Sequence, residues 1–103
     1  MPIQIRGYDI TSFDKNHEET DIFFAGIAHL EYNSKIADVG FEGRHEKGVT
    51  GFIDFDLKDP DQIDIPQVRA RADEIRDVLA EHLLESGYEA GEYRDVLTLQ
   101  DHS

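Results

Sequence analysis

Ile22-Phe23-Phe24-Ala25-Gly26-Ile27-Ala28-His29-Leu30-Glu31-Tyr32 is the stretch that decides the fold. Its even positions, from Ile22 through Phe24, Gly26, Ala28 and Leu30 to Tyr32, form one apolar face. That period of two belongs to a strand covered on one side. Asn33-Ser34 is turn chemistry, and Ile36 to Glu42 repeats the pattern with Ala37, Val39 and Phe41 inward. Upstream, Ile3 and Ile5 alternate with Gln4 and Arg6, and Tyr8-Asp9-Ile10 extends that strand to Ile10; the polar stretch Asp14–Glu19 separates it from Ile22. Downstream, Glu46-Lys47-Gly48 is a second turn. Val49 to Leu57 then places Val49, Gly51, Ile53, Phe55 and Leu57 inward, with Thr50, Phe52, Asp54 and Asp56 outward. Alternating runs joined by short turns predict an antiparallel meander.

Beyond Lys58-Asp59-Pro60-Asp61 the period changes. Asp64 is placed to cap a helix, Gln67 to reach back as in a capping box, and Pro66 is tolerated in the first turn. Val68, Ala72, Ile75, Leu79, His82 and Leu83 recur at helical spacing, and Gly87 supplies the stop. Val96, Leu97 and Leu99 suggest a short fifth strand, and Gln100 to Ser103 a frayed tail. The expected fold is α+β: an antiparallel sheet of four to five strands with one amphipathic helix packed on one face, in ββββαβ order. It is a single domain over residues 1–103, a length that supports one core.

Function is less accessible. The chain has 23 Asp and Glu against 10 Lys and Arg, a formal net charge of −13. Residues 1–52 hold nine acidic and five basic side chains, and residues 53–103 hold fourteen and five. Such a surface opposes contact with nucleic acid phosphates or anionic lipid and steers basic partners inward. Solubility alone is the competing explanation. There is no cysteine, which removes disulfides, thiolate metal sites and thiol nucleophiles. Pro2-Ile3-Gln4-Ile5-Arg6 lacks the features of a secretory signal and no apolar run approaches a membrane span, so a cytoplasmic protein is expected.

Two acidic groups stand out. On a helical wheel Glu74, Asp77, Glu81 and Glu85 form a ridge opposite the apolar face, in steps of about 6 Å where four residues separate them. The same helix carries Arg69 and Arg71 near its start and Glu81 and Glu85 near its end, against the macrodipole. The second group is Asp54, Asp56, Asp59, Asp61 and Asp64. It lacks the Gly at the sixth position and the Glu at the twelfth that a calcium loop requires. Among these outward carboxylates Phe23, Ile27 and Phe52 look like the centre of an interface. The alternative is that these phenylalanines pack beneath an N-terminal loop around Phe13.

Catalytic constellations are not recognisable. Of the histidines, His17, His29, His45, His82 and His102, none has helical H-E-x-x-H spacing. His29 and His45 are close enough in the meander for a two-histidine site to be considered, against the simpler reading of solvated side chains. No cofactor, metal ligand set or catalytic residue is expected.

The leading expectation is therefore a small acidic binding or inhibitor protein that engages a basic surface through Glu74, Asp77, Glu81, Glu85, Asp54, Asp56, Asp59 and Asp61. Its sharpest form is a nucleic-acid mimic that blocks a nucleic-acid-binding protein such as a defence nuclease or toxin. Phage-encoded antagonists work this way as a class, although no motif links this chain to them. The rivals are a homo-oligomeric module that self-associates through Phe23, Ile27 and Phe52, a halophilic surface, and an undetected enzyme.

Overall fold

The computed structural model describes residues 2–15, 18 and 20–99. Five antiparallel strands, β1 (Gln4–Lys15), β2 (Asp21–Tyr32), β3 (Lys35–Glu46), β4 (Asp54–Lys58) and β5 (Gly91–Thr98), form one sheet in the order β4-β3-β2-β1-β5. A 3-10 turn at Pro60–Gln62, a short helix α1 (Pro66–Arg69) and the main helix α2 (Ala72–Ser86) lie between β4 and β5.

β2 and β3 are joined by Asn33-Ser34, with φ of 50° and 66°. Two consecutive left-handed residues are what a two-residue hairpin turn of the right twist demands. The turn sets the register, so Tyr32 lies opposite Lys35, and counting back places His29 opposite Asp38 and Phe24 opposite Gly43. The covered face is then Phe24, Ala28 and Leu30 from β2 with Val39 and Phe41 from β3, all buried.

β1 runs past the expected Ile10 to Lys15, and it contains two register shifts, between Ile5 and Tyr8 and between Ile10 and Ser12. Each inserts a residue and restores the apolar phase, so Ile5, Tyr8, Ile10 and Phe13 all turn inward although their spacing is not two. Gly7, at φ 90°, forms the first bulge; a Cβ there would lie 2.4 Å from the Tyr93 carbonyl oxygen.

The expected strand from Val49 is corrected. Gly48 and Gly51 take φ of 84° and 85° and turn the chain, leaving Val49 and Ile53 exposed and only Asp54–Lys58 paired with β3.

The expected single helix is also divided. Arg71, at φ −112° and ψ 25°, interrupts it, so α2 starts at Ala72. Asp64 does not cap: Ile65 occupies the N-cap of α1 without a side-chain bond, and Pro66 follows in the first turn. At the other end Gly87, at φ 106°, donates its N–H to the Leu83 carbonyl at 2.9 Å and ends α2 as expected. α2 lays Ile75, Leu79 and Leu83 on the covered face, where they join Ile3, Ile5, Tyr8 and Leu99, and Val68 of α1 in one core. Among the described residues that core holds no buried polar side chain, so its stability rests on apolar burial.

Candidate functional site: the uncovered sheet face

The face of the sheet turned away from α2 is built by the alternate register positions. Phe23, Ala25, Ile27 and His29 come from the centre of β2. Opposite them on one side stand Asp14, Ser12 and Asp9 of β1, and on the other Arg44, Glu42, Gly40 and Asp38 of β3. β4 adds Asp54 beside Arg44, Asp56 beside Glu42 and Lys58 beside Gly40. Phe23 and Ile27 remain 46% and 40% exposed, large apolar groups with solvent on one side and carboxylates around them. A shallow groove of about 520 Å³ runs between Phe23 and Ala25 and the side chains of Glu42, Arg44, Asp54 and Asp56.

The cations here do not cancel the acids. Arg44 Nε, itself buried on a partly exposed side chain, lies 3.8 Å from Asp54 Oδ2, and Lys58 Nζ lies 3.5 Å from Glu42 Oε2 between exposed side chains. The exposed Lys58–Glu42 pair contributes about 0–1 kcal/mol and leaves Glu42 available to a partner, as Asp54 also is at 72% exposure.

His29 sits at the centre of a tighter arrangement. Its Nδ1 is 2.8 Å from Asp38 Oδ1 and its Nε2 2.9 Å from Asp9 Oδ2, so one ring ties β2 to both neighbouring strands. Two carboxylate oxygens can be satisfied at once only if both ring nitrogens donate, which requires the imidazolium. Hydrogen bonding to Asp38, then to Asp9, accordingly raises the His29 pKa above its ordinary value despite partial desolvation. The other Asp9 oxygen, Oδ1, is buried without a hydrogen-bond partner among the described residues. Pairing of His29 with Asp38 was readable from the Asn33-Ser34 turn, whereas the bulges of β1 hid Asp9.

The acidic residues named from sequence divide between two sides of the molecule. Asp54 and Asp56 lie on the uncovered face as expected. Asp59, at φ 48°, begins the 3-10 turn, Asp61 lies within it, and Asp64 precedes α1. Glu74, Asp77, Glu81 and Glu85 belong to α2, whose apolar side lies on the opposite face of the sheet. The two groups come nearest at the start of α2, where Asp56 lines a small cavity with Asp73 and Arg76. Two ridge members are also ion-paired along the helix: Glu74 with Arg71 at its N-cap at 2.6 Å and Asp77 with Arg76 at 3.3 Å. The reversed polarity is corrected at one end, because α2 starts after Arg71 and holds Asp73 and Glu74 in its first turn, where anions are favoured. It persists at the other, where Leu83-Leu84-Glu85-Ser86 has no cation.

Phe52 is not on the uncovered face. It packs at the end of the covered side with ring centroids 5.1 Å from Phe24, 5.4 Å from Phe55 and 5.5 Å from Tyr88. The glycine turns before it reverse the alternation on which its outward placement rested. Phe13 belongs to β1, opposite Phe24, so no loop around it covers Phe23. His45 stands opposite Ile22 and faces the covered side, while His29 faces away. Seven residues of strand separate their positions, about 23 Å, and the two-histidine site does not form. His82 packs edge-on against Tyr8 and lies 3.1 Å from Asp95 Oδ2. His17, Glu19, His102 and the tail from Gln100 lie outside the described residues. No group of three His, Asp or Glu suited to a metal ion occurs among the described residues, and no described helix is long and apolar enough to cross a membrane.

No family model, no curated protein and no solved structure matches the chain.

Proposed function

We propose that the protein is an acidic binding module whose uncovered sheet face engages a basic protein surface. The observation that carries this reading is the exposed pair Phe23 and Ile27 surrounded by Asp9, Asp14, Glu42, Asp54 and Asp56. An apolar centre with a charged rim supplies both components of a protein interface: burial for affinity, and charge for steering and choice of partner. Side chains two apart on one strand, such as Asp54 and Asp56, are about 7 Å apart, comparable with successive phosphates of a nucleic acid strand. In its sharpest form the protein is thus a nucleic-acid mimic that occludes a nucleic-acid-binding protein.

The test is capture of partners from an extract of the source cells on immobilised protein, in rising salt. A partner held at low salt should be lost with D54K/D56K and with Phe23→Ser, retained with E81K/E85K on α2, and displaced by duplex DNA if the mimicry holds. Equal capture by D54K/D56K and the unaltered protein removes the face from the reading. Loss with E81K/E85K alone transfers the role to the helix.

A further inference from the structure

We propose that a second site, a cavity beside the C-terminal end of α2, binds an alkylated ammonium group. This cavity of about 370 Å³ lies between Phe13, Lys15, Ile22 and Tyr93 of the sheet and Tyr88 and Glu89, which follow the helix. It is on the covered side of the sheet, separate from the uncovered face.

Its walls are aromatic and are held open. Phe13 and Tyr88 have centroids 6.3 Å apart and planes inclined by 43°, a wedge rather than a stack. Tyr93 is fixed by stacking on Tyr8 at 4.6 Å and by donating its hydroxyl to the Glu89 carbonyl at 2.9 Å. Tyr88 is fixed at its hydroxyl by His45. Nε2 of His45 donates to the Val49 carbonyl at 3.0 Å, and Nδ1 of the same ring is hydrogen-bonded to the Tyr88 hydroxyl. The phenol oxygens are thus engaged in hydrogen bonds, and the Tyr88 ring is also held by stacking on Phe24 at 4.9 Å.

Two observations select a cation for these aromatic walls. Lys15 Nζ already lies 5.8 Å from the Phe13 ring centroid, within the range of cation–π attraction. The cavity also adjoins the negative end of the α2 dipole, where Glu89 lines it and Lys15 is the cation among its described lining residues. A metal ion is disfavoured, since no three-donor group is present among the described residues. A primary ammonium would surrender strong hydration for few acceptors. A methylated ammonium is weakly hydrated, keeps its charge and presents an apolar surface to the rings, which is the chemistry aromatic cages take. On this reading Lys15 is an internal competitor that partly fills its own site.

The experiment is an amide chemical-shift titration of the whole protein with tetramethylammonium chloride, at ionic strength held constant with sodium chloride. Neopentyl alcohol, a water-soluble derivative of the isosteric neopentane, serves as the uncharged control. Saturable shifts are expected around Phe13, Tyr88, Glu89 and Tyr93 with the cation and much weaker ones with the alcohol. Glu89→Gln, at an exposed position, should weaken binding several-fold, and Lys15→Met should strengthen it several-fold. The absence of saturation, equal response to the alcohol, or weaker binding by Lys15→Met would each overturn the proposal. A trimethyl-lysine peptide that binds more tightly than tetramethylammonium identifies a modified protein as the source of the group; weaker binding identifies a free quaternary amine.

Discussion

His29 concentrates more of the chemistry of this fold than any other single residue. Its ring bonds Asp38 and Asp9 together only while doubly protonated. The folded-state pKa is therefore above the unfolded value of about 6.5. A raised pKa means the bridge stabilises the fold fully below the unfolded value and loses that contribution as pH rises through the folded one. Urea unfolding from pH 5.5 to 9 should show stability falling across that window in the native protein relative to His29→Gln, and a constant difference would refute the bridge. Gly26 makes the second residue-scale prediction. A Cβ there would lie 2.1 Å from the Asp9 carbonyl oxygen and 2.8 Å from Phe41 Cζ, so Gly26→Ala should cost about 3 kcal/mol by overpacking, read as a lowered denaturation midpoint. The apolar alternation of β2 revealed that Gly26 faces inward. It could not reveal how close β1 passes, because that distance depends on a strand interrupted by bulges.

The elements show where local pattern suffices and where it fails. β2 and the first part of β3 are regular from end to end, and a period of two locates both their faces. β1 keeps its inward residues only through two bulges, which break the period while preserving the burial of Tyr8, Ile10 and Phe13. Alternation of Val49, Gly51 and Ile53 predicts a longer β4, yet Gly48 and Gly51 turn the backbone before it. Phe52 consequently moved from the proposed interface into an aromatic cluster. In the helical region the apolar positions Ile75, Leu79 and Leu83 were right, and Leu79→Ala should cost about 2–5 kcal/mol in thermal or urea unfolding. The break at Arg71 was hidden because Val68 stays in phase across it. The unfavourable end of α2 yields a prediction of opposite sign: Glu85→Lys should stabilise the fold by about 0.3–1 kcal/mol at low salt, a gain that disappears in high salt. A gain unaltered by salt would point to packing instead of the dipole.

At the scale of the molecule the charge must be weighed against the core that resists it. The net charge of −13 is spread over both faces of a sheet only one helix thick, and like charges distributed in this way destabilise the compact state. Salt screens that repulsion over a Debye length of about 10 Å at 0.1 M and about 3 Å at 1 M. The melting temperature should therefore rise with added NaCl or KCl alike and level off well before molar concentration, once the screening length is shorter than the spacing of neighbouring carboxylates. A halophilic surface behaves differently: its stability continues to climb into molar KCl. The comparison also bears on binding, because the same screening that stabilises the free protein weakens a basic partner held at Asp54 and Asp56. Stability rising while capture falls over the same salt range is the joint outcome expected of an acidic interface. Stability that increases without limit would assign the charge to solvation, and capture indifferent to salt would leave Phe23 and Ile27 as the sole source of affinity.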